Sequence, residues 1–134
     1  MIRLVGAALL VALGFVAAPA PALAQEDTLG AAALKMYEGC RTGQNGSSSE
    51  CACVAGIFGG RMKEDEYKML AAITRFIGPG GAIADMAGAQ AEAEAERVRQ
   101  NMTQTRFGEV MASFVALGEM GPYADRICMP LANK

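Results

Sequence analysis

The chain has 134 residues and contains neither histidine nor tryptophan. Without histidine there is no Ser-His or Cys-His catalytic pair, and the commonest zinc and copper ligand is missing. Aromatic residues make up only 6% of the chain. Beyond the N-terminal region they are Phe58, Phe76, Phe107, Phe114, Tyr37, Tyr67 and Tyr123. A core must therefore rest on Ala, Met, Leu and Ile, and a small domain of that kind gains from covalent staples. Positive charge is not in excess: 12 basic residues face 14 acidic ones. That balance excludes the basic footprint of a nucleic-acid binder. Strand-like alternation of β-branched residues is absent as well. The one period-two stretch, Ala89 to Glu96 (AQAEAEAE), consists mainly of good helix formers.

The single long apolar run lies at the N-terminus. Arg3 precedes an apolar run from Leu4 to Ala18, Pro19-Ala20-Pro21 breaks it, and Ala22-Leu23-Ala24 supplies small residues. This three-part layout predicts a secretory signal peptide over 1–24, cleaved between Ala24 and Gln25. The run is too short for a span, which needs about 20 apolar residues. No second such run follows, so no membrane span is expected after cleavage. Gln25 is not a cysteine, which excludes lipid anchoring of the bacterial kind. The mature part, 25–134, reads as one small domain with 11 basic and 14 acidic residues, a net charge of −3.

The mature chain reads as helices joined by glycine-rich punctuation. Helix one is expected over about Thr28 to Arg41, capped by Asp27 or Thr28, with Leu29, Ala33, Met36 and Cys40 on one stripe. Ser47 and Glu50 form a capping box for helix two, whose stripe is Cys51, Val54, Ala55 and Phe58. Gly59-Gly60 is expected to weaken or end it. Glu64, Asp65 and Glu66 open helix three, where the dipole favours acids. Its buried face is Tyr67, Leu70, Ile73 and Ile77, and Gly78-Pro79-Gly80-Gly81 stops it.

Further helix spans about Ile83 to Gly118. One apolar phase runs through Ile83, Met86, Ala87, Ala91, Val98 and Met102. Another restarts at Phe107, Val110, Met111, Phe114 and Leu117. The slip over Asn101–Arg106 implies two helices or a bend. The Ala/Glu section reads as a solvated face, the alternative being a close-packed alanine contact. Gly121-Pro122 is read as the end of the helical region, with Cys128-Met129-Pro130 in an irregular tail. The expected fold is all-α, a bundle of four or five helices stapled by two disulfides.

Four cysteines, Cys40, Cys51, Cys53 and Cys128, suit two disulfides in a small exported domain. Residues two apart in a helix point about 200° away from each other. Cys51 and Cys53 should therefore reach different partners. Cys40–Cys51 with Cys53–Cys128 is favoured, and the swapped pairing stays open.

Two chemical alternatives compete with structural staples. Cys51 and Cys53 near a helix N-terminus could exchange disulfides if a thiol were exposed with a lowered pKa. Thiolates with the Met residues could bind Cu(I). Against the first, there is no Cys-x-x-Cys and no thioredoxin-like βαβ context. Against the second, Met36, Met86, Met102 and Met111 sit at core-like helical positions rather than in Met-x-x-Met runs. No nucleophile–base pair stands out. Glu92, Glu94 and Glu96 fan around a helix, and the Gly78 loop lacks the Lys-Ser/Thr of a phosphate loop.

The stretch from Cys51 to Leu70, CACVAGIFGGRMKEDEYKML, resembles a pattern in small exported bacterial proteins: a Cys-x-Cys, an apolar helix, then Met/Leu-Ser/Thr-x-x-Glu-aromatic. Lys63 stands where the capping Ser/Thr would be. The Ala- and Pro-rich leader resembles those of high-GC Gram-negative bacteria. The resemblance implies an exported location and a helical fold, and no chemistry. The expected role is thus a periplasmic or secreted, non-catalytic binding, stress or envelope-interaction protein. No cofactor is implied, and a partner would be a protein or a second copy of the chain.

Overall fold

A computed structural model describes residues 28–116 and 120–132; the leader, with Ala24 and Gln25, lies outside them. The described residues form six α-helices and no strand. They are α1 (Leu29–Gly43), α2 (Ser48–Arg61), α3 (Glu64–Ile73), α4 (Met86–Arg99), α5 (Gln104–Ala116) and α6 (Met120–Ala132), with a 3-10 turn over Thr74–Phe76. None of these helices is long and apolar enough to cross a membrane.

Local sequence explains where the first three helices start. Thr28 Oγ1 accepts the Ala31 N–H at 3.1 Å and caps α1. Ser47 Oγ accepts the Glu50 N–H, and Glu50 Oε2 accepts the Ser47 N–H, each at 3.2 Å. That reciprocal box satisfies two donors otherwise left orphaned at the start of α2. At α3 the Lys63 N–H is accepted by Glu66 Oε2 at 3.2 Å, the half of the box that survives without a Ser or Thr.

Gly59-Gly60 does not end α2, which runs on to Arg61. A glycine costs only about 1 kcal/mol in a helix interior. Gly59 also lies against the Tyr67 ring, so the helix gains a tertiary contact there. α3 buries Tyr67, Met69, Leu70, Ala71, Ala72 and Ile73 and is the central helix. Ile77 packs on the core from beyond the helix, not from within it, because the chain tightens into the 3-10 turn at Thr74. There the Thr74 hydroxyl bonds the Leu70 carbonyl at 2.7 Å and lies 3.1 Å from Met36 Sδ.

Gly78-Pro79-Gly80-Gly81 forms the tip of a tight reversal. Gly80 and Gly81 adopt φ of +83° and +82°, open to glycine at no steric cost. The Gly78 N–H donates to Ala82 O and the Ala84 N–H to Phe76 O, each at 2.8 Å. Ile83 thus belongs to the reversal, and α4 starts later, capped by Asp85 Oδ1, which accepts the Gly88 N–H at 2.9 Å.

The buried face of α4 differs from the expected one. Met86, Ala91 and Val98 are exposed, Val98 to 62%. Ala89, Ala93 and Glu96 are buried instead, and α4 packs closely on α3. Alanines let the two backbones approach. Glu96 tolerates burial because Arg99 Nε and Gln100 Nε2 bond its carboxylate at 2.8 and 3.0 Å.

Asn101, at φ +49°, breaks the chain direction, and Thr103 Oγ1 caps α5 by accepting the Arg106 N–H at 3.2 Å. Two helices therefore meet at the slip. Val110 is fully buried, with Phe107, Met111 and Phe114 packed beside the core. Leu117 lies outside the described residues.

The tail is not irregular. Gly121-Pro122 falls in the first turn of α6, where proline's missing N–H has no intrahelical acceptor to lose. Cys128 and Pro130 are helical, and α6 packs along α2. This sixth helix is why the bundle exceeds the expected four or five.

Candidate functional site

All four cysteines are bonded. Cys40 joins Cys51 with Cα atoms 5.6 Å apart, and Cys53 joins Cys128 with Cα atoms 5.7 Å apart. The first ties α1 to α2, and the second ties α2 to α6. In the chain-entropy model, sequence separations of 11 and 75 residues correspond to about 3 and about 4.5 kcal/mol. The capping box sets the start of α2, so Cys51 and Cys53 leave opposite sides of its first turns. Cys51 is fully buried and Cys40 nearly so, Cys128 is fully buried, and Cys53 is half-buried. Among the described residues no cysteine is free. None therefore offers a thiolate to a metal or a substrate in this state. No cluster of three or more Cys, Asp or Glu there could hold a metal ion. Met36, Met69 and Met102 are core residues, while Met86 and Met129 are exposed and apart from them in the fold.

Of the three acids that open α3, Asp65 and Glu66 hold a neighbouring helix, while Glu64 pairs with Lys68 one turn on at 2.7 Å. Arg106 on α5 donates to Asp65 from Nε at 2.7 Å and Nη2 at 3.0 Å, and to Glu66 Oε1 at 3.2 Å. Glu109 takes a further bond from Arg106 at 3.1 Å. The hydrogen bonds from Arg106 hold the Asp65 carboxyl below its ordinary pKa, against a smaller opposing effect of burial. The same bonds push the Arg106 pKa up. The first turn of α3 thus anchors α5. Glu92 pairs with Arg75 and Arg99, Glu94 with Arg97, and Glu96 with Arg99, so Glu94 points away while Glu92 and Glu96, one turn apart, share Arg99 rather than fanning apart as expected.

The feature the sequence did not single out is an open apolar cleft of about 510 Å³ between α1 and α2. Leu29, Ala33 and Tyr37, one turn apart on α1, form one wall. Ala52, Ala55, Gly56 and Gly59 of α2 form the other, and Tyr67 of α3 closes the end. No lining side chain is charged. Tyr67 donates its hydroxyl to Ala55 O at 3.0 Å, so that buried polar group is already satisfied. Burial pushes its phenol pKa up. At Gly56 nothing stands within 4 Å of where a side chain would begin, so the cleft is open there for want of a Cβ. The helical spacing of the small residues Ala52, Gly56 and Gly59 was the available signal. Its meaning depended on α1 lying alongside. Comparison with protein-family models, curated proteins and solved structures gives no match.

Proposed function

We propose that this is an exported, non-catalytic binding protein of the bacterial envelope whose α1–α2 cleft receives a slim apolar group such as an acyl chain. The observation that carries the reading is the lining of that cleft. It combines an uncharged wall, a floor without side chains at Gly56, and a volume within the roughly 300–1,000 Å³ of small-molecule sites. The Cys40–Cys51 bond joins the two helices that form the walls, which favours a preformed site. Export is supported by the leader and by two disulfides, which persist in oxidising compartments.

The alternatives have less support. Cys51 and Cys53 are bonded to different helices, so they are not a dithiol pair. A Cu(I) site would need thiolates that are all committed elsewhere.

The test uses a fluorescent polyene fatty acid titrated into the purified protein. Saturable binding is expected. Gly56→Leu should weaken it by at least about tenfold, a cost of about 1.4 kcal/mol. Leucine at 56 meets open space and improves helix propensity, so the variant should melt no lower than the wild type. Absence of saturable binding, or equal binding by the variant, rejects the reading. Export has its own check. The intact mass of periplasmic protein should correspond to a chain beginning at Gln25, and a full-length chain retained in the inner membrane would overturn it.

A further inference from the structure

α6 is attached to the protein differently from the other helices. Among the described residues, the main hydrophobic core draws on α1 to α5 and their links and takes nothing from α6. α6 buries Ala124 and Cys128 and lies along α2. Two specific contacts hold it there. One is the Cys53–Cys128 bond. The other is Arg61, which donates to the Tyr123 hydroxyl at 2.8 Å with its guanidinium 4.4 Å from the ring centre. Cys53, Ile57 and Arg61 are one turn apart, so α6 covers a single face of α2.

The two disulfides also differ in access. Cys40 and Cys51 are 3% and 0% exposed, so no sulfur of that bond can be approached in the folded protein. Cys53 is half-buried and is the one cysteine of the four that keeps appreciable exposure. We propose that Cys53–Cys128 is a redox-sensitive latch: an external dithiol reduces it selectively and frees α6 from α2, while Cys40–Cys51 and the core stay intact.

A thiolate of the dithiol attacks Cys53 Sγ, because Cys128 is fully buried. A mixed disulfide forms at Cys53, the Cys53–Cys128 bond breaks, and Cys128 leaves as a thiolate that takes up a proton. The second thiol of the reagent then attacks its own sulfur in the mixed disulfide. It closes the reagent's disulfide and releases Cys53, which is protonated in turn. Two electrons and two protons pass from the dithiol to the protein. Release bares the α2 face around Ile57. The inference does not rest on the α1–α2 cleft, which lies on another side of α2.

Native protein is exposed to graded dithiothreitol, quenched by alkylation and mapped by peptide mass spectrometry, with amide hydrogen exchange measured in parallel. Cys53 and Cys128 should become alkylated at least about tenfold faster than Cys40 and Cys51, since exchange rates follow access. Exchange over 120–132 should rise while that over 64–73 stays protected. Reduction of both bonds together, loss of protection at 64–73 in step with it, or unchanged exchange over 120–132 after reduction each overturns the proposal. The double variant Cys53→Ser, Cys128→Ser provides a second measurement without reductant. It should keep 64–73 protected and expose 120–132. A variant that is unfolded would show that the core does not stand without the latch.

Discussion

Gly39 and Gly43 sit where α1 crosses the 3-10 turn. A Cβ on Gly39 would lie 2.8 Å from the Arg75 nitrogen and 2.9 Å from Thr74 Cβ; one on Gly43 would lie 2.5 Å from Ile77 O. The obstacles include backbone atoms, which cannot swing aside. Gly39→Ala should therefore destabilise the protein by about 1–3 kcal/mol, the usual cost of overpacking. Urea unfolding followed by circular dichroism would show a lower midpoint with an unchanged slope. A variant as stable as the wild type would mean that α1 does not approach the turn this closely. Nothing in the sequence separates Gly39 from Gly56, since both lie inside helices. One faces an arriving backbone and the other faces open space, and that difference belongs to the neighbour, not to the residue.

At the scale of the element, legibility follows locality. The Ser47–Glu50 box could be read because both of its hydrogen bonds close within four residues. The helix break at Gly78–Gly81 could be read because glycine and proline disfavour helix continuation there, though not the reversal of the chain through Ile83. The buried face of α4 could not. Weighting by hydrophobicity favours Met86 and Val98, yet the helix turns Ala89 and Ala93 toward α3, where small side chains allow close approach. α6 misled for a related reason. Gly-Pro is a stop signal inside a helix and a tolerated start in its first turn, and local sequence does not say which applies. Packing along α2 and the bond to Cys53 give this stretch its helical partner.

At the scale of the molecule, the ion-pair network between α3 and α5 links the fold to pH. The folded-state pKa of Asp65 is depressed, chiefly by hydrogen bonds from Arg106. Its contribution to stability is therefore complete above the unfolded carboxylate pKa of about 3.9 and is lost as pH falls through the lower folded value. Arg106→Gln should lower the melting temperature at neutral pH. The gap from wild type should close as the pH drops below about 4. Circular dichroism melts from neutral to acid pH would measure it, and a gap that stays constant throughout would show that Asp65 and Arg106 are not coupled. The sequence by itself determined the helical class, the starts of α1, α2 and α3, and a supply of four cysteines for two disulfides in a chain poor in aromatics and without histidine. These follow from backbone preference and composition, which act within a few residues. Only the tertiary structure decided which cysteine meets which, since both pairings satisfied the helical geometry. It also decided which face of α4 is buried, that the tail is a helix, and that α1 and α2 part enough to leave an uncharged cleft. Each of these depends on where a distant segment comes to rest. That position is set by the packing of all the elements at once, and no short window of sequence contains it.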